Sequence, residues 1–149
     1  MLEIGCGPGL AAKLICERLV DGRMLAIDRS PIQIERARRR NEGCVASGRL
    51  SLEAIELAAL ATGEARFDKV FAINVNVFWL GPATKELAAV RRALAPHGGL
   101  FLFYEPPRAE RARQAVERVT AHLRAEGFTE PVVLAPKRTL VCCVSSLRL

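Results

Sequence analysis

No apolar run in this chain is long enough to cross a bilayer as a helix. The amino end, Met1-Leu2-Glu3-Ile4-Gly5, lacks the basic start and long apolar stretch of a secretory leader. Both absences make the cytoplasm the expected location. The five cysteines are Cys6, Cys16, Cys44, Cys142 and Cys143; their number is odd and no two have Cys-x-x-Cys spacing. That pattern argues against a fully paired disulfide framework and against a zinc or redox motif, and no metal is expected. All five read as reduced thiols, four packed as small hydrophobes and Cys6 in a loop. There is no repeat, low-complexity tract or linker, and 149 residues leave no room for a second domain.

Acidic residues are in short supply: 16 Asp and Glu stand against 22 Lys and Arg, a net charge of +6. Such an excess raises the question of a polyanionic partner. The densest basic run is Arg36, Arg38, Arg39 and Arg40. On a helix these offsets fan around several faces instead of forming one stripe, and no aromatic residue interleaves with them. A solvated surface is the favoured reading and nucleic acid is not.

What is present is an alternation of short apolar runs with helical segments, which implies a mostly parallel sheet covered by helices. Residues 2–4 read as a strand running into glycines. Residues 10–20 read as a helix with Ala11, Leu14, Ile15 and Leu19 inward. Residues 24–28 are a second strand ending on an acid. Ser30 is a good N-cap and Pro31 a good first helical residue, for a helix that Gly43 should end. A third strand is expected at 49–55, a loop or short helix at 58–66, and a fourth, central strand at 69–74. Pro82 should open a helix stopped by Pro96 and Gly98-Gly99, before a fifth strand at 100–104. A long helix at 109–126 should turn Val116, Val119 and Leu123 inward. Strands at 131–135 and 139–145 should close the chain as an antiparallel hairpin, with Cys142 and Cys143 facing opposite ways.

The segment Glu3-Ile4-Gly5-Cys6-Gly7-Pro8-Gly9 lies between the first strand and the first helix. A loop here must turn sharply and admit a ligand close to the backbone, which glycine allows. The following helix offers amide donors and the positive end of its dipole, suited to a carboxylate or phosphate. Asp28 ends the next strand about twenty residues on, beside the loop in a doubly wound sheet, where it can accept hydrogen bonds from both hydroxyls of a ribose. A dinucleotide site favours Gly-x-Gly-x-x-Gly. Here the third glycine comes one residue early, as Gly5-x-Gly7-x-Gly9, with Glu3 ahead of it.

That form resembles motif I of class I S-adenosylmethionine-dependent methyltransferases. The resemblance continues along the chain. Ile55-Glu56-Leu57-Ala58-Ala59-Leu60 is similar to the acidic motif after the third strand, although the family more often has Asp there. Phe67-Asp68 followed by 69–74 looks like the fourth strand. Leu94-Ala95-Pro96-His97-Gly98-Gly99 looks like the loop before the fifth, with His97 an insertion read as a turn residue. The resemblance implies a single Rossmann-like α/β domain over 1–149, with seven strands ordered 3-2-1-4-5-7-6 and the seventh antiparallel. It implies S-adenosylmethionine as cofactor. The methionine carboxylate would lie near the bend of Gly5, Cys6, Gly7 and Gly9, with Glu3 before it. The ribose would lie on Asp28 beside Arg29, and the adenine by Glu56 and the Leu57 amide. The backbone at Asn74 and Val75 would receive the methionine ammonium group.

Methyl transfer from a sulfonium is an in-line displacement, so the protein chiefly positions the nucleophile. This accounts for the lack of a catalytic triad. Asn76, Phe78, Trp79, Tyr104 and Glu105 follow the carboxyl ends of strands and are the candidate substrate-facing residues. Asn76 is suited to holding an amine or hydroxyl, Phe78 and Trp79 to walling an apolar substrate. A small-molecule acceptor is expected, since the tetrad typical of many amino-group nucleic-acid methyltransferases is absent. Family members usually carry a few dozen residues ahead of the first strand that cover the cofactor. Met1 stands at that strand, so the expectation is a shortened chain or cover supplied by a partner subunit, with self-association open. The competing readings are a binding module without turnover and, further off, a nicotinamide-dependent oxidoreductase.

Overall fold

The computed structural model describes residues 1–147. The chain divides into two compact units, Met1–Leu60 and Ala61 onward.

The first unit holds strands β1 (Leu2–Ile4), β2 (Met24–Asp28) and β3 (Leu50–Ala54), all parallel, in the order β3-β2-β1. Leu2, Met24, Ala26, Ile27 and Leu50 are buried, which accounts for the continuous apolar run at the start of β2. The helices are α1 (Leu10–Cys16), α2 (Pro31–Arg40) and α3 (Glu42–Ala46). Ser30 caps α2, its Oγ accepting from the Gln33 amide at 3.4 Å, and Pro31 takes the first helical position. Three expectations fail here. Helix α1 stops at Cys16, and it buries Ala12 and Cys16 while Leu10 and Leu14 are exposed. Gly43 does not end the helical stretch but lies inside α3; Asn41 makes the break between α2 and α3.

The second unit holds β4 (Phe67–Ile73), β5 (Leu94–Tyr104), β6 (Val132–Leu134) and β7 (Val141–Ser146), in the order β4-β5-β7-β6. Strands β4 and β5 are parallel, and β7 runs antiparallel to both β5 and β6. The two units thus carry the two runs of the expected order. Helices α4 (Val77–Leu80), α5 (Thr84–Ala93) and α6 (Ala109–Ala125) complete it. The short α4 was not anticipated. Helix α5 begins at Thr84 instead of Pro82, and β5 begins at Leu94, well before the expected start. Between its pairings Phe67↔Leu94 and Lys69↔Gly99, β5 bulges out. His97 sits in that bulge with φ 64°, which is the turn role read from the sequence. Helix α6 buries Ala112, Ala115, Val119 and Leu123; Val116 is only half-buried. The closing hairpin is antiparallel as expected, and Cys142 and Cys143 are both buried on their opposite faces. Among the described residues no helix is long and apolar enough to cross a membrane.

Candidate functional site

In the first unit three parallel strands end together. Ile4 pairs with Ile27, and Asp28 with Ala54, so the glycine bend, Asp28 and the Glu56 segment all follow carboxyl ends of neighbouring strands. Such a crevice is where open α/β sheets bind ligands. The bend is held directly to the acid: the Gly7 amide donates to Asp28 Oδ2 at 2.9 Å, and the Ser30 amide donates to Oδ1 at 2.9 Å. An ionised carboxylate has about four lone-pair positions, so each oxygen keeps one for a further donor.

The glycines have different tasks. Gly5, Gly7 and Gly9 all have positive φ, at 67°, 52° and 76°. A Cβ on Gly7 would project into open space, so its place is free for a ligand. A Cβ on Gly9 would lie 2.6 Å from Asn41 Nδ2 and 2.8 Å from Ala37 Cβ, so Gly9 is needed for α2 to approach the bend. Asn41, which the sequence reading passed over as a helix end, is buried there and donates to Gly9 O at 3.0 Å and Ala37 O at 2.8 Å. The amides of Cys6, Gly7 and Gly9 are already bonded, to Ile27 O, Asp28 Oδ2 and Cys6 O. The bend is therefore a preformed wall more than a row of free donors.

Glu3 is 3 % exposed, and its Oε2 is buried without a hydrogen-bond partner. Burial, with a smaller push from the Asp28 charge, raises its pKa from 4.5 to about 8. A buried carboxyl with an unspent oxygen beside a glycine bend is the group a cationic or hydrogen-donating ligand atom would satisfy. Cys6 is buried with its thiol pushed up to about 12, by burial first and then by Glu3 and Asp28. It is an inert packing residue and not a nucleophile. Arg29 and Glu56 are exposed; Glu56 precedes the 3₁₀ turn Leu57–Ala59, and Leu57 is buried. An orphaned acid, open space above Gly7 and spare lone pairs on Asp28 together fit an aminoacyl nucleoside.

The second unit holds a pocket of about 610 Å³ at the ends of β4 and β5. Four of the five substrate-facing candidates, Asn76, Trp79, Tyr104 and Glu105, line it. Phe78 does not: it is 1 % exposed in the core, because the first turn of α4 points it inward. Asn74 is in the left-handed region at φ 55°, its amide donating to Phe103 O and its Oδ1 accepting from the Glu105 amide at 2.8 Å. These bonds join the ends of β4 and β5. The Tyr104 hydroxyl donates to Val75 O at 3.3 Å, its ring meets Trp79 edge-on at 6.4 Å, and Trp79 Nε1 donates to Asn76 Oδ1 at 3.2 Å. Burial raises the Tyr104 pKa, so its hydroxyl keeps its proton. The pocket also takes in Arg108 and Arg111, which the sequence reading missed. Their signal was legible: bases at a helix start, where acids are usual.

Similarity to known proteins accords with this geometry. The chain superposes on PhzM, a pyocyanin biosynthetic protein, with a TM-score of 0.80, 18% identity and coverage of 99% of this chain and 49% of that one. It superposes on the glycopeptide N-methyltransferase MtfA, solved with sinefungin, with a TM-score of 0.79, 17% identity and coverage of 99% and 80%. The fold is thus the Rossmann-like α/β fold of the S-adenosylmethionine-dependent methyltransferases. The model of a methyltransferase domain matches residues 1–98, across both units, and the chain belongs to that family. Among curated relatives, the trans-aconitate 2-methyltransferase of Methylobacterium nodulans is 30% identical over 80% of this chain and 43% of its own length. That of Methylobacterium radiotolerans is 32% identical over 80% and 43%. An uncharacterized methyltransferase of Bacillus subtilis is 28% identical over 87% and 71%. The chain spans less than half the length of the trans-aconitate 2-methyltransferases it matches.

Proposed function

We propose that this chain, in the cytoplasm, transfers a methyl group from S-adenosylmethionine to a small-molecule acceptor. The observation that supports this most is the Gly7–Asp28 hydrogen bond, which puts a carboxylate with spare lone pairs at the lip of a bend open above Gly7. In this reading Asp28 accepts from the ribose hydroxyls, flanked by Arg29. Glu56 accepts from the adenine amino group and the Leu57 amide meets the ring. Glu3 and the bend of Gly5, Cys6, Gly7 and Gly9 border the methionine end. The bound cofactor supplies a methyl carbon on a sulfonium with a neutral thioether to leave. The protein's own share is placement of the acceptor. Asn76, Trp79, Tyr104 and Glu105 do this: Trp79 and Tyr104 exclude water from one wall, and the two polar side chains orient the acceptor.

Calorimetric titration with S-adenosylhomocysteine and with NAD tests the cofactor half. Heat from the first and none from the second is expected; heat from NAD alone would overturn the reading. Asp28→Ala should weaken S-adenosylhomocysteine by about 1–3 kcal/mol, the loss of charge-assisted hydrogen bonds. An unchanged affinity would remove Asp28 from the ribose site. For turnover, trans-aconitate is the first acceptor to assay, because it appears in the names of the relatives.

A further inference from the structure

We infer that the acceptor is a small carboxylic acid, anchored through a carboxylate by Arg108 and Arg111 with the amide NH₂ groups of Asn74 and Asn76 completing the donor set. The inference rests on the methyltransferase reading and names an acceptor class for it.

The pocket gathers several side-chain donors that nothing else uses. An indole N–H only donates, so the 3.2 Å bond from Trp79 turns Asn76 Oδ1 toward the ring and leaves the NH₂ for a ligand. A backbone amide also only donates, so the Glu105 N–H claims Asn74 Oδ1 at 2.8 Å and leaves that NH₂ unspent. Guanidinium groups have no acceptor. The Tyr104 proton is engaged with Val75 O. The unspent side-chain nitrogens of Arg108, Arg111, Asn74 and Asn76 all present hydrogens to the pocket, and a carboxylate presents only lone pairs.

Charge points the same way. Other arginines of α6 are occupied: Arg113 with Glu110 at 3.4 Å, Arg118 with Trp79 O at 3.4 Å, Arg124 with Glu130. Among the described residues the side chains of Arg108 and Arg111 have no hydrogen-bond or ion-pair partner. Arg108 is the N-cap of the 17-residue α6 and makes no side-chain cap bond; Arg111 is in the first turn. Cations there oppose the helix dipole, and the one acid of that turn, Glu110, is paired with Arg113, so an anion in the pocket would relieve them. Glu105 offsets one of the two positive charges in the pocket lining, so what is left over matches one carboxylate better than a phosphate dianion. The volume, about 610 Å³, is that of a small-molecule site.

The test is calorimetry on the full chain, saturated with S-adenosylhomocysteine. The titrants are a panel of mono-, di- and tricarboxylates, the neutral amides of the same acids, and inorganic phosphate. At least one acid should bind and its amide should not. Arg108→Gln, Arg111→Gln and Asn76→Asp should each weaken that acid about tenfold or more, as expected for a hydrogen bond to a charged group. S-adenosylhomocysteine affinity should hold in all three. Arg92→Gln removes an equal charge from the exposed side of α5 and should change nothing. The inference is overturned if no acid binds while S-adenosylhomocysteine does, if phosphate binds as tightly as the best acid, or if Arg92→Gln costs as much as the pocket variants. Failure of S-adenosylhomocysteine to bind the unaltered chain would instead sink the methyltransferase reading, and this inference with it.

Discussion

Glu3 holds a proton that most carboxyl groups have surrendered at neutral pH. Its pKa is about 8 in the fold against an ordinary 4.5, chiefly because burial penalises the charged form. Between those values the folded chain retains a proton that the unfolded chain releases, so this group makes stability fall as pH rises through the window. Above about pH 8 the cost is complete, on the order of a few kcal/mol. Urea unfolding at pH 5.5 and pH 8 should therefore show a smaller pH-dependent loss in Glu3→Gln than in the unaltered chain; parallel losses would show that Glu3 is not the source. Gly9 makes a second case at this scale. Its φ of 76° and the 2.8 Å approach of Ala37 Cβ leave no room for a methyl group. Gly9→Ala should cost about 2–4 kcal/mol of unfolding free energy, from left-handed backbone strain and overpacking together. Gly7 was as conspicuous in the sequence, but its Cβ position is open, so the difference between a packing glycine and a ligand-facing one came only from the neighbours.

Among the elements, α4 depends most on others. Four residues cannot form a stable helix alone. Two side chains of α6 meet its carbonyl ends: His122 Nδ1 is 3.0 Å from Phe78 O, and Arg118 Nη1 is 3.4 Å from Trp79 O. They replace the hydrogen bonds that a longer helix would have made for itself. His122→Ala should loosen α4, cost about 1–2 kcal/mol, and alter the fluorescence of Trp79, the sole tryptophan. An unchanged emission spectrum would mean α4 is held by packing alone. Its absence from the sequence reading follows from the same cause, since nothing within 77–80 announces a helix whose supports lie some forty residues away. The misplaced face of α1 is similar. Leu14 fits an apolar stripe, yet Ala12 and Cys16 are the buried pair of the helix.

For the whole molecule, the proposed cofactor binding has a thermodynamic signature that needs no acceptor. A ligand that binds only the folded chain, at a hundred times its dissociation constant, stabilises by about 2.7 kcal/mol. For a chain of this size that is a rise in Tm of roughly 5–10 °C. S-adenosylhomocysteine should produce it and NAD should not; equal shifts would count against cofactor discrimination by the early third glycine.

Read alone, the residue order was enough for the kind and succession of the main strands and helices, for the closing hairpin, and for the spacing of Gly5, Gly7, Gly9 and Asp28, because these express local backbone preference and apolar period. Folding had to supply the rest: the hold of Asn41 on Gly9, the burial of Phe78, the unspent oxygen of Glu3, and the two arginines left without partners at the start of α6. Each of these depends on which distant groups arrive beside a side chain, and on which donors and acceptors they have already used.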